Sequence, residues 1–278
     1  MQRLRALMAE PRTKNLPVDG IAFTVAHRDI LRTKPQTRRV FASAYRLALD
    51  LESRYATATG GRRWEIGSGA GFLRDVVPDV ISTDFKVLPF IDVACAAEAL
   101  PIRDGTLRSV FAFNVFHHLY SPRAFFEEMT RVLAPGGVVV LIEPWHGPVA
   151  RLLFPRLFAT EGFAPDARDW EGSGGGGPMS MANQALSYVV FRKDRARFER
   201  EFSALQIMIE QPYSHITLLA SGGVNFRALV PEWAMGALET LERALEPLSA
   251  VLSLQQVIVL RRRPTPDELL TEGVTTRQ

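Results

Sequence analysis

Residues 62–73 read RRWEIGSGAGFL. A short, apolar-leaning run carries one acid, Glu65, and is followed by glycines at every second position: Gly67, Gly69 and Gly71. A glycine inside a regular element costs roughly 0.5–1 kcal/mol relative to alanine, so three in five residues mark a turn where backbone must come close to something. A strand that breaks into such a turn and resumes as a helix is how α/β sheets build ligand sites.

Two ligand classes fit a turn of this kind. In the dinucleotide fingerprint G-x-G-x-x-G, a pyrophosphate rests on the helix N-terminus. The spacing here is G-x-G-x-G, with a carboxylate two residues ahead. That carboxylate would repel a phosphate and would suit an amine. S-adenosylmethionine has an ammonium at its amino-acid end, a sulfonium and no phosphate, so charge favours it over a nicotinamide dinucleotide.

The same alternation continues outward. RRWEIG is a strand ending at Gly67, and GFLRDVV a short helix stopped by Pro78. DVISTD (79–84), LRSVFAFNV (107–115) and GVVVLIEP (137–144) read as strands. Between the last two, SPRAFFEEMTRVL (121–133) carries a helix start signal, with Ser121 as N-cap and Pro122 in the first helical position. Strand, turn, helix and strand in repetition predict an α/β, doubly wound, mostly parallel sheet. Glu65, Asp84, Asn114 and Glu143 then fall at strand ends and should converge on one edge. Upstream, residues 36–55 predict an amphipathic helix, and residues 1–35 are mixed and punctuated by prolines. Downstream, 145–187 is a long connection containing GSGGGGP (172–178). After it come a helix at 194–202, a strand at 205–212, a helix at 231–244 and a strand at 252–263.

Bulk properties exclude several classes. The chain has 278 residues, 47% of them hydrophobic, and a net charge of +3. That balance gives no argument for nucleic-acid binding. Residues 1–40 nevertheless hold nine Lys/Arg against three acids, a basic face compatible with solvent, an anionic substrate or peripheral membrane contact. The single cysteine, Cys95, rules out an intramolecular disulfide and a Cys-based zinc site, and fits a cytoplasmic protein. No apolar run approaches the roughly 18 residues of a membrane span, and the N-terminus lacks the apolar core of a secretory signal.

EIGSGAGFL, STDF, AEALPIRDGT, FNVFHHL and RVLAPGGVVVLIEP follow one another in a fixed order. In this the chain resembles the class I, Rossmann-like S-adenosylmethionine-dependent methyltransferases of the type 11 small-molecule group. The resemblance covers about residues 62–144. It implies a seven-stranded sheet whose last strand is inserted antiparallel, with 205–212 and 252–262 as the final two. It also implies roles. Glu65 would sit near the cofactor's amino-acid end, and Gly67, Ser68 and Gly69 would let backbone approach its methionine and ribose. Asp84 would accept from the ribose hydroxyls, Phe85 would lie beside the adenine, and Ala97 and Glu98 would border it. Asn114 would line the reaction chamber.

Two positions depart from the family pattern. Ala96 stands where relatives carry an acid that contacts the adenine amino group, and Arg108 stands where an acid often precedes the fourth strand. These departures keep open a catalytically weak or inactive binding module as the alternative. His117, His118 and Glu143 are the candidate catalytic residues, each with a structural counterpart: packed histidines, and a carboxylate that only caps. Trp145 and His146 share the strand end with Glu143, and Tyr188 and His215 could border an acceptor. No His/Cys/Asp cluster has convincing metal-ligand spacing, so no metal is expected. We expect residues 1–60 to form an N-terminal helical cap, 61–263 the methyltransferase domain with a lid inserted at 145–190, and 264–278 a tail. The acceptor would be a small molecule, a glycan or a lipid-linked group. A nucleic-acid acceptor is not expected, because FNVFHHL replaces the N-P-P-[YFW] type of catalytic stretch.

Overall fold

β5 (Leu133–Pro144) explains the layering. Val138, Val140 and Ile142 enter one apolar cluster, and Val139 and Leu141 enter another on the opposite face. Successive strand residues point to opposite faces, so a run of buried valines means that both faces are covered. The other central strands behave alike. Phe111 of β4 (Leu107–Phe113) faces one cluster while Val110 and Ala112 face the other. Val257 and Val259 of β7 (Gln255–Arg262) oppose Ile258 and Leu260 in the same way.

The computed structural model describes residues 7–157, 161–172, 177–214, 216–265 and 268. His215, residues 173–176 of the glycine run and most of the tail after Pro264 lie outside the described residues. Together with β1 (Arg62–Ile66), β2 (Val80–Asp84), β3 (Val93–Ala94) and β6 (Leu205–Tyr213), the strands form one sheet ordered β3-β2-β1-β4-β5-β7-β6. The first five pair in parallel, and β7 runs antiparallel between β5 and β6. This is the seven-stranded, doubly wound arrangement expected. The sequence order leaves β1 in opposite directions, to β2 on one side and β4 on the other. That creates a topological switch point at the carboxyl end of β1.

Two segments were not legible as elements. β3 is two residues long, and α1 (Ile21–Thr33) starts at Gly20 with no side-chain cap. α1 and α2 (Pro35–Tyr55) lie against the glycine-turn side, where Leu31, Tyr45, Ala48 and Leu51 pack with Phe72 and Leu73 of α3 (Leu73–Val76). α4 (Pro122–Val132) covers the other face, and Ser121 Oγ accepts from Ala124 N as its sequence promised. Arg108 also finds its explanation here. It donates to Glu52 of α2 at 3.1 Å, and Glu52 additionally receives Arg63 and Ser109. Arg108 therefore tethers α2 to the start of β4, at the end remote from the switch point.

The connection 145–190 is more than an open loop. α5 (Pro148–Leu157) buries Ala150 and Phe154 against Leu254. Trp170 is 1% exposed, lies among Phe126 and Phe202, and donates its indole N–H to Asp194 at 2.9 Å. Arg123 and Arg197 lie over its ring. Removing such an anchor leaves a cavity and takes a hydrogen-bond donor from Asp194. Trp170→Ala should therefore lower unfolding stability by about 3–5 kcal/mol. A denaturant titration that shows under 1 kcal/mol would mean that this stretch is not part of the cooperative core.

Candidate functional site

The glycine turn is held by bonds that the sequence does not display. Gly67 has φ +60° and Gly69 φ +48°, both left-handed. Ser68 N donates to Thr83 O, and Ser68 Oγ accepts from Thr83 N while donating to Glu65 Oε2 at 2.8 Å. Ser68 thus locks β1 to β2 and aims the Glu65 carboxyl. Glu65 is fully buried, and burial pushes its pKa up to about 7, with the Ser68 hydrogen bond opposing and the Asp84 charge assisting.

Asp84 sits at the end of β2, as expected. Its Oδ2 accepts from Gly69 N and its Oδ1 from Lys86 N, both at 2.9 Å. Burial raises its pKa and these bonds work against that rise. The carboxylate is therefore oriented by two backbone donors.

Above these strand ends lies a cavity of about 560 Å³. Glu65, Gly67, Ser68, Gly69, Asp84, Phe85, Ala97, Glu98, Asn114, His117 and His118 all line it. Ala96 and Cys95 line it too, and Phe85 offers a half-exposed ring. The far wall is supplied by α1, by Met179 and Met181 of the connection 145–190, and by Leu218 and Leu219 of α6 (Ile216–Ser221). Among the described lining residues, the only lysine or arginine groups are Lys86 and Arg227. Such volume, a mainly apolar wall and few convergent polar groups are typical of a small-molecule site.

Three residues from the β5 end do not line the cavity. Glu143 is wholly buried and its oxygens are all engaged: Oε1 accepts from Val115 N and Phe116 N at 2.8 Å, and Oε2 lies 2.6 Å from His117 Nδ1. It holds the turn 116–118 and orients His117. Trp145 donates its indole N–H to Ala250 O and lies beneath Arg192. His146 stacks on Tyr188 with ring centroids 3.9 Å apart.

Sequence reasoning missed Glu161. It lies 3.6 Å from His117 Nε2 and accepts from Gln184 Nε2 at 2.6 Å. No strand-end rule points to an acid on a connecting segment. Burial works against charge on His117, but Glu143 and Glu161 outweigh it and raise the imidazole to about 9. Burial and the charge of His117 lower His118 to about 4. The two carboxylates thus favour charge on His117, while burial and that charge disfavour it on His118.

Residues 64–141 match the sequence profile of a family described as a methyltransferase domain. No curated protein matches the chain. Geranyl diphosphate C-methyltransferase from Streptomyces coelicolor, solved with Mg2+, geranyl diphosphate and S-adenosyl-L-homocysteine, is 14% identical, with a TM-score of 0.47 over 80% of this chain and 78% of that one. The YcgJ protein of Bacillus subtilis is 17% identical, with a TM-score of 0.43 over 79% of this chain and 100% of that one. The fold itself rests on the sheet order. The sheet order is that of a Rossmann-like methyltransferase fold, and residues 64–141 carry the match to the methyltransferase domain. The matched segment supports an S-adenosylmethionine-dependent methyltransferase. Among the described residues, no helix is long and apolar enough to cross a membrane.

Proposed function

We propose that this protein binds S-adenosylmethionine over the glycine turn and methylates a small acceptor with a largely apolar body, held between that turn and the segment 145–190. The observation that carries the reading is Glu65. Its carboxyl group is fully buried beside a hydroxyl and another carboxylate, and among the described residues no cation pairs with it. A buried, unpaired carboxylate is costly, and an ammonium from a ligand removes that cost. A pyrophosphate would instead face Glu65 and Asp84 together.

The cofactor supplies an electrophilic methyl group on a sulfonium. The protein's residues position it and keep water out. Glu65 would hold the amino-acid end, and Gly67, Ser68 and Gly69 would admit its backbone-contacting parts. Asp84, already oriented, would accept from the ribose hydroxyls. Phe85 would lie along the adenine, bordered by Ala97 and Glu98, and Asn114 would line the chamber. Alignment of donor and acceptor supplies much of the rate when the acceptor atom is already nucleophilic. His118 lines the chamber and would border the acceptor. His117 and Glu143 would act by positioning. Met179, Met181, Leu218, Leu219 and Leu254 favour an apolar acceptor body, free or lipid-linked, over a glycan.

Calorimetry with S-adenosylmethionine and S-adenosylhomocysteine tests the reading, and a folded protein that binds neither overturns it. Ala96 offers a second check. Ala96→Asp should restore an adenine-amino contact and tighten cofactor binding by about 2–10-fold, the value of one hydrogen bond of roughly 0.5–1.5 kcal/mol. Unchanged or weaker binding would mean that Ala96 does not border the adenine.

A further inference from the structure

His117, His118 and Glu161 form a cluster that the cofactor site does not use. The three line the same cavity, and one ligand atom from each lies within 4.8 Å of the others. His117 Nδ1 faces Glu143 Oε2 at 2.6 Å, so this nitrogen carries a proton toward the carboxylate and Nε2 faces Glu161. His118 Nδ1 is 3.0 Å from Pro178 O. A carbonyl only accepts, so His118 Nδ1 also carries its proton and leaves the Nε2 lone pair free. In both imidazoles Nδ1 therefore holds a proton toward a protein oxygen, and Nε2 is the atom turned toward the cluster. A histidine that donates its other N–H to a carboxylate or carbonyl is the usual support for a metal-bound imidazole. Gln184 adds an independent observation: its Nε2 binds Glu161 while its buried Oε1 has no partner.

We propose that His117 Nε2, His118 Nε2 and the Glu161 carboxylate bind one divalent first-row transition-metal ion. Two imidazoles and one carboxylate suit zinc, iron, manganese or cobalt and do not suit magnesium or calcium, which prefer oxygen ligands. The ion takes the place of the proton between His117 and Glu161 and draws the three groups to coordination distance. Three protein ligands leave positions open, and a water in one of them can donate to the orphan Gln184 Oε1. The site joins the turn after β4 to the connection 145–190, so the ion fastens one wall of the chamber to the other. Its use in holding and acidifying an acceptor oxygen rests on the methyl-transfer reading; its existence does not.

The test uses full-length protein freed of metal by a chelator, with no cofactor or acceptor present. Cobalt(II) is titrated and followed by its visible d–d absorption, and zinc is titrated by calorimetry. We expect one equivalent of either, with a higher melting temperature for the zinc form. Glu161→Gln, which preserves shape, and His118→Ala should each weaken binding by at least about 100-fold, and Gln184→Leu by about 10-fold. Circular dichroism checks that each variant folds. Absence of saturable 1:1 binding overturns the proposal, as does binding that survives both ligand substitutions. Metal uptake by a protein that binds no S-adenosylmethionine would sink the methyltransferase reading and leave the metal site standing.

Discussion

Glu65→Gln should melt at a higher temperature than the wild type at pH 8 when ligand-free, and yet bind S-adenosylmethionine far more weakly. The folded protein holds the Glu65 carboxyl near pKa 7, mainly through burial, against an ordinary value of 4.5. Between those pH values the folded state keeps a proton that the unfolded chain has lost. Stability therefore falls as pH rises through that window and stays reduced above it. Removing the ionisable group should recover up to about 3 kcal/mol at pH 8 and almost nothing near pH 4. Binding has the opposite sign, because an ammonium needs the ionised carboxylate. Wild-type affinity should rise by nearly tenfold per pH unit below 7 and level off above it, while the glutamine variant should be flat. At pH 8 the variant should be weaker by about 10–150-fold, the value of a charge-assisted hydrogen bond of roughly 1.5–3 kcal/mol. Scanning calorimetry and titration calorimetry from pH 5 to 8.5 read both effects. A variant with wild-type affinity and the same pH slope would remove Glu65 from the cofactor site.

The two halves of that prediction differ in how legible they were. Charge beside a glycine turn is local, so the sequence alone could select an amine over a phosphate. The elevated pKa is not local. It comes first from the elements that bury the turn and then from the Asp84 charge, with the Ser68 hydrogen bond opposing, and only the assembled fold supplies these. The sheet was legible for the same reason as Glu65, since a buried parallel strand is a contiguous apolar run and α4 carries its own cap at Ser121. α1 lacked such a cap, and β3 was too short to show a period. Glu143 was found at the right place with its role open, because a strand-end carboxylate can face a ligand or a backbone turn. Val115 N and Phe116 N decide for the turn. Glu161 was invisible because its partners, His117 and Gln184, are set by how the connection 145–190 folds back over the sheet edge.

Gly67→Ala should cost both stability and cofactor binding. A Cβ built at Gly67 stands 2.5 Å from Val115 Cγ2 and 2.8 Å from Cγ1, with the backbone at φ +60°. Val115 cannot simply retreat, since its N–H is held by Glu143, which also holds the turn bearing His117 and His118. The left-handed backbone alone costs an alanine roughly 1–2 kcal/mol. Overpacking adds roughly 1–3 kcal/mol. The variant should lose about 2–5 kcal/mol of stability, and displacement of the turn should weaken cofactor binding by about 100-fold. Gly105 separates the two causes. It has φ +64°, and nothing lies within 4 Å of a Cβ built there. Gly105→Ala should therefore show only the backbone cost and keep full cofactor affinity. If the clash with Val115 is the mechanism, Val115→Ala made together with Gly67→Ala should recover more than half of the lost affinity, a coupling that distant sites do not show. Equal losses for Gly67→Ala and Gly105→Ala, or a double variant no better than the single one, would mean that the turn is not held in place by this contact.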